Sequence, residues 1–387
     1  MDFEIPEEYR AMVNLAKRFL EEELRPLEKE MDEIGEVPEE TRERLTRRSK
    51  ELGLWDPFGP EEEGGGGMPH TYLGQMLLSE VTGSTCLVLR LFVGGGGMRR
   101  RRGLSSEVVG GAEEGRIFGA ITEPNAGSDQ RSIETTAVRD GDEWVINGVK
   151  HLISGVTAPD GRVIAKRGII YCKTDKEARR LTPFIVEVGT PGFTIGRQQK
   201  VMGMRGICVN ELYFDDCRVP DANRIGGEGT GLRQFLTGLA VARLGIGASG
   251  VGAAQYCLDR SIDFAGQRVT FGQPLITRQF IQAMLVEIAI RTETTRWLVY
   301  RTAWQLDHGE DPRFGYSACK ILGSELACDA ADMTIQIHGG IGYTTDLPFE
   351  RIYRDYRGSR IYEGANEIHK HIIARILCEQ RLGTRLF

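Results

Sequence analysis

No two of the eight cysteines in this 387-residue chain (Cys86, Cys172, Cys208, Cys217, Cys257, Cys319, Cys328 and Cys378) stand as Cys-x-x-Cys. That spacing indicates neither a zinc site nor a disulfide framework, and reduced thiols are the simple reading. Apolar runs long enough to cross a bilayer are also lacking, and Met1 to Pro6 carries neither a basic n-region nor an apolar h-region. The expectation is a soluble, unexported, cytoplasmic protein with no membrane span. An excess of positive charge is missing too: 49 Lys and Arg against 55 Asp and Glu leave a formal charge of −6, which argues against a nucleic-acid partner. The one basic run, Arg99 to Arg102, is flanked by glycine and reads as a solvated loop or a phosphate contact. There is no internal repeat and no low-complexity tail.

A phosphate cradle is the last absence. The glycine runs 64–67 and 94–97 follow no strand pattern and precede no Lys-Ser or Lys-Thr, so they read as loops. Gly245-Ile246-Gly247-Ala248-Ser249-Gly250 matches G-x-G-x-x-G, but no strand precedes it and no acid follows at the distance a dinucleotide site requires. It reads instead as a smooth helix surface for close packing.

What is present is a soluble globular composition, 41% hydrophobic and 27% charged, in a chain too long for one core. Apolar residues at helical spacing mark Pro6 to Glu33, with a kink at Pro26, then Pro38 to Leu54, Tyr72 to Thr82 and Ser84 to Val93. From Phe118 to Val219 strands and turns take over. Asp140-Gly141-Asp142 and Asn147-Gly148 are hairpin signals, the second placed between Trp144-Val145-Ile146 and Val149 to Ile153. Ile169 to Lys173, Pro183 to Val188 and Val209 to Phe214 add strands. Long helical patterns return at Leu232 to Gln267, Gln279 to Asp307, Gly315 to Ile337 and Asn366 to Leu382, broken by short Gly/Pro segments as an antiparallel bundle needs. The fold class is α+β, mainly α: a helical domain over 1–117, a central antiparallel β-barrel or sandwich over 118–224, and a C-terminal four-helix bundle over 225–387.

One acid stands among apolar and small residues near the C-terminus, in Arg360-Ile361-Tyr362-Glu363-Gly364-Ala365-Asn366. Partial burial raises a carboxylate toward the working pH of a general base, and Gly364 lets a substrate approach the backbone. From these residues alone, an ordinary exposed acid at a helix start is the commoner account.

Four segments decide it: Ile121-Thr122-Glu123-Pro124-Asn125-Ala126-Gly127-Ser128-Asp129, Arg268-Val269-Thr270-Phe271-Gly272-Gln273-Pro274-Leu275, Gln336-Ile337-His338-Gly339-Gly340-Ile341-Gly342-Tyr343 and Ile361-Tyr362-Glu363-Gly364. In order and approximate spacing they resemble the acyl-CoA dehydrogenase family, across nearly the whole chain. The resemblance implies non-covalent FAD and oxidation of an acyl-CoA thioester to its trans-2-enoyl form. It makes Glu363 the base that takes the α-proton, while the β-hydride passes to flavin N5. Some relatives carry the base at the position of Ala242, which leaves Glu363 without a rival here.

The resemblance also implies the contacts. Phe118, Ile121, Thr122, Gly127, Ser128, Leu152, Ile153 and Ser154 match positions that line the flavin. Arg268, Phe271, Gln279, Gln336, Ile337, Gly339 and Gly340 match residues reaching the FAD of a neighbouring subunit, in a homotetramer or homodimer. Ala365 and Glu367 fall near the adenine. Ser128, Ala240, Arg243, Tyr362 and Gly364 match substrate positions, with Arg243 toward the CoA portion, and an electron-transfer flavoprotein is the implied acceptor. Leu152 replaces an aromatic of many relatives. Gly94 to Gly115 is glycine-rich and basic where relatives are polar, and Asp160-Gly161-Arg162 with Lys166-Arg167 interrupts an apolar strand. Two alternatives stay open: an oxygen-using flavoprotein of the same fold, and a non-catalytic acyl-CoA-binding relative.

Overall fold

The computed structural model describes residues 4–63, 65–95, 116–175 and 180–383. The run Arg99 to Arg102 and most of the 94–115 segment therefore lie outside the described residues. Contacts divide the chain into two compact units, Met1–Met98 together with Ala240–Phe387, and Arg99–Leu239.

In the helical unit the first helix, α1 (Glu7–Phe19), buries Tyr9, Met12, Ala16 and Phe19 along one stripe. Pro26 lacks an N–H and crowds the carbonyl four residues back, so the chain passes through a π-turn at Leu20–Leu24 and a 3-10 turn at Arg25–Leu27. It resumes as α2 (Glu28–Ile34), followed by α3 (Glu39–Glu51), α4 (Tyr72–Thr82) and the short α5 (Leu87–Arg90). The predicted kink is present, and the predicted fourth helix shrinks to one turn.

The long helices are α6 (Gly231–Gln267), α7 (Gln279–Asp307) and α8 (Arg313–His338), with α9 (Phe349–Arg357) and α10 (Asn366–Leu382) after them. Val251, Ala254, Leu285, Ile288, Leu326, Ala330, Phe349 and Ile352 share one core among them. The G-x-G-x-x-G segment is a helix crossing: a Cβ on Gly250 would stand 2.2 Å from the Gly323 carbonyl oxygen. The glycine is there because two backbones touch.

The β unit holds β1 (Arg116–Ala120), β2 (Thr136–Asp140), β3 (Glu143–Ser154), β4 (Ala165–Asp175), β5 (Arg180–Glu187), β6 (Phe193–Gln199) and β7 (Val209–Pro220). One sheet runs β1-β4-β2-β3-β7-β6, with β5 paired to β4. β1 and β2 meet β4 in parallel; the other pairings are antiparallel. Asp140-Gly141-Asp142 makes the expected hairpin, with Asp140 opposite Glu143 and Gly141 at φ 64°.

Asn147-Gly148 does not. β3 runs straight through it as a single strand, with a register shift against β7 between Ile146 and Gly148. A Cβ on Gly148 would lie 2.6 Å from the Cα of Thr135, so this glycine serves a bulge at a close crossing and not a turn. In the polar stretch at 160–167, Arg162 N–H and Nε–H close a turn on the Asp160 carboxylate, and Lys166 is exposed as β4 begins. Among the described residues no helix is long and apolar enough to cross a membrane.

Candidate active site

Glu363 lies in the turn between α9 and α10, half-buried, at φ 57°. A non-glycine residue in that left-handed region costs roughly 1–2 kcal/mol, so its surroundings must impose it. They do so through the backbone. The Glu363 carbonyl accepts from Arg243 Nε of α6 at 3.1 Å and from His369 Nε2 of α10 at 3.1 Å. Gly364 follows at φ 93°, and a Cβ there would stand 3.0 Å from His369 Nε2, so the chain passes directly over these donors.

The start of α10 is anchored to α8. Lys320, fully buried, donates Nζ to Asn366 Oδ1 at 2.7 Å, and Asn366 Nδ2 donates to Ser324 Oγ and Glu325 Oε1. Burial pushes the Lys320 ammonium down to about 8, with Arg243 adding to the effect and Glu367, Glu363 and Glu325 opposing it. Arg243 is likewise lowered by burial, with Glu363 acting against that shift. Ser317, Lys320 and Ser324 recur at helical spacing on one buried face of α8. That polar stripe was the available signal for these residues, and sequence reasoning passed over it.

Burial also pushes His369 down to about 4 from its ordinary 6.5, with Arg243 and Lys320 adding to the effect and the hydrogen bond to Glu363 opposing it. Between those two values the unfolded chain binds a proton that the folded chain refuses, so acidification through this window favours unfolding; above 6.5 this group contributes no pH dependence. The free energy of unfolding, measured by denaturant titration, should therefore fall more steeply from pH 7 to pH 5 in the parent than in His369→Gln, with a slope difference of up to about 1.4 kcal/mol per pH unit. Parallel curves for the two proteins would mean that His369 is not held neutral.

Of the positions matched to substrate, Ala240 and Arg243 lie one turn apart on α6, Tyr362 and Gly364 flank Glu363, and Ser128 belongs to the other unit. Arg243, matched to a position near the CoA portion of the substrate, donates its Nε to the Glu363 carbonyl.

In the β unit, Lys150 is fully buried and donates to Glu123 Oε1 at 2.7 Å, to the Tyr171 carbonyl at 2.7 Å and to the Ile121 carbonyl at 3.3 Å. Glu123 also accepts from the Glu134 and Thr135 N–H groups. Burial alone would raise its carboxyl, but Lys150 and these donors hold it below the usual range. This pair fixes the 121–126 segment, which His151 N–H further ties to β3 through the Thr122 carbonyl at 2.8 Å. Beside that link Leu152, at φ 58° on a second register shift, is half exposed. Gly127, Ser128 and Ser154 are exposed and Thr122 partly so. A Cβ on Gly127 would meet nothing within 4 Å, which leaves the backbone there open to a ligand. Phe118, Ile121 and Ile153 are buried, so their side chains serve the core and only their backbone can face a cofactor.

Arg268 and Phe271 sit on the exposed two-stranded hairpin of β8 (Val269–Thr270) and β9 (Gln273–Pro274), where Phe271 is 97% exposed at φ 50°. Gln279, Gln336, Gly339, Gly340 and Glu367 are exposed and Ala365 is partly so, while Ile337 is buried in the helical core.

Three family models match the chain in sequence: the acyl-CoA dehydrogenase N-terminal domain over 6–98, the middle domain over 119–217 and the C-terminal domain over 229–378. The chain belongs to the acyl-CoA dehydrogenase family. It is 36% identical to the acryloyl-CoA reductase (NADH) of Anaerotignum propionicum, over 97% of this chain and 95% of the relative. The butyryl-CoA dehydrogenase structure from Megasphaera elsdenii superposes with a TM-score of 0.80 at 28% identity, covering 97% of this chain and 100% of that one. An FAD complex of PigA gives a TM-score of 0.82 at 26% identity, covering 98% and 100%. As a member of this family the chain is an oxidoreductase.

Proposed function

We propose that this acyl-CoA dehydrogenase family member carries out α,β-dehydrogenation of an acyl-CoA thioester, with Glu363 as the base and an electron-transfer flavoprotein as the acceptor. FAD is the cofactor, and when bound it supplies the hydride acceptor for the β-hydrogen. Thr122, Gly127, Ser128 and Ser154 would hold it with exposed hydroxyls and open backbone beside Leu152. Arg268 suits a pyrophosphate, since its guanidinium is a bidentate donor that stays charged.

The chain's own part in the reaction is proton removal and orientation. The Glu363 carboxylate takes the α-proton and becomes the acid, and the electrons of that C–H bond form the new double bond as hydride leaves the β-carbon. The α-proton is only weakly acidic, so the thioester carbonyl needs donors, and the Glu363 N–H is one by family resemblance. The observation that carries this reading is the left-handed Glu363, held there by two donors on its carbonyl.

The exposed Arg268, Phe271, Gln279, Gln336, Gly339 and Gly340 support the reading that a second copy of the chain completes the FAD site in a homodimer or homotetramer. Seven of the eight cysteines are buried and none is in a disulfide, which fits a reducing cytoplasmic setting. The name of the Anaerotignum relative favours a second reading, in which the same site runs in the reductive direction and Glu363 returns the proton.

The test is anaerobic flavin bleaching by a panel of straight, branched and aromatic acyl-CoAs, with crotonyl-CoA offered to the dithionite-reduced protein as the reverse arm. Bleaching by at least one saturated thioester is expected. No response in either direction would sink the proposal, and reoxidation by air as fast as by a dye acceptor would favour an oxidase.

A further inference from the structure

His369 belongs to no motif that the sequence singled out, yet it is fully buried with Nε2 aimed at the base. A carbonyl oxygen only accepts, so Nε2 carries the proton toward Glu363. In the neutral ring Nδ1 is then an acceptor, and Ser317 Oγ of α8 donates to it at 3.1 Å. Ser317 is itself buried. The imidazole is thus fixed in tautomer and in orientation before it meets the Glu363 peptide.

Arg243 supplies the second donor to the same carbonyl from a different helix. The two differ in stiffness: a ring tethered at both nitrogens defines a direction, whereas a guanidinium on a flexible stem follows its partner. The residue they grip is one that an L-amino acid would not hold in this conformation unaided.

We propose that His369 is a positioning residue for the catalytic base: its Nε2–H bond to the Glu363 carbonyl keeps Glu363 left-handed and so sets the direction of the carboxylate. This rests on Glu363 being the base. His369 transfers no proton; it acts through the peptide of Glu363.

The test uses the FAD-loaded protein and anaerobic stopped-flow reduction by butyryl-CoA. His369→Leu keeps bulk and removes the donor, and His369→Gln keeps an N–H donor on a chain of similar reach. The expected result is flavin reduction slowed at least about tenfold in His369→Leu, with the Kd for butyryl-CoA and the FAD content unchanged, and most of the rate restored in His369→Gln. A merely structural role would lower Tm and FAD content without a selective loss of the reduction step. Reduction at the parental rate in His369→Leu, a loss confined to Kd, or no recovery in a folded His369→Gln overturns the proposal. If His369→Leu fails to fold, Ser317→Ala replaces it: the ring loses its tether, a several-fold slower reduction is expected, and the parental rate overturns the idea. Glu363→Gln is run alongside. If that variant reduces its flavin normally, it is the assignment of Glu363 that fails, whatever the His369 variants do.

Discussion

Glu363→Gln should fold and retain FAD, yet reduce its flavin with acyl-CoA at least about 10²–10⁴-fold more slowly than the parent. The amide has the shape of the carboxylate and none of its basicity. The contacts that hold the turn go to the backbone carbonyl of residue 363, donated by Arg243 and His369, and a side-chain exchange leaves them in place. Retained FAD absorbance and an unchanged melting curve would confirm that only the base was lost. Reduction near the parental rate would sink the assignment, because no acid stands at the alternative position, Ala242.

The separation between side chain and backbone at this residue also explains what could be read from the sequence. Glu363 and Gly364 could be singled out as candidates because a base and a close approach demand particular residue types. The helices were legible from periodicity, and the kink from Pro26, since each is a local property. His369 was not, because its role depends on α10 returning to α8 and α6, a tertiary fact with no local signature. Asn147-Gly148 misled for the same reason: the pair is a strong turn signal in isolation, and only the crossing of Thr135 makes it a bulge within β3. Arg243 fell between the two cases. A lone arginine among Val241, Ala242, Leu244 and Gly245 had to find an anionic or carbonyl partner, but the sequence could not say that it would be the Glu363 carbonyl.

Lys150→Met should cost on the order of 3–5 kcal/mol and lower Tm by on the order of 10 °C. Lys150 and Glu123 are both buried, so removing the ammonium strands a carboxylate away from water, and the Tyr171 and Ile121 carbonyls lose their donor as well. The sign of the double variant is the informative part. Lys150→Met with Glu123→Gln removes both charges, and the single amide oxygen keeps one of the two backbone donors, which bond to different carboxylate oxygens: Glu134 N–H on Oε2 and Thr135 N–H on Oε1. That combination should recover part of the loss, because a buried pair costs most when broken and less when both charges are removed. The effect should reach the cofactor too, since the Ile121 carbonyl that Lys150 holds is next to Thr122, so FAD should dissociate faster from the single variant at temperatures where it remains folded. Equal melting temperatures for the parent and Lys150→Met would show that the pair is not structural, and a double variant less stable than the single would show that Glu123 is held by its backbone donors alone.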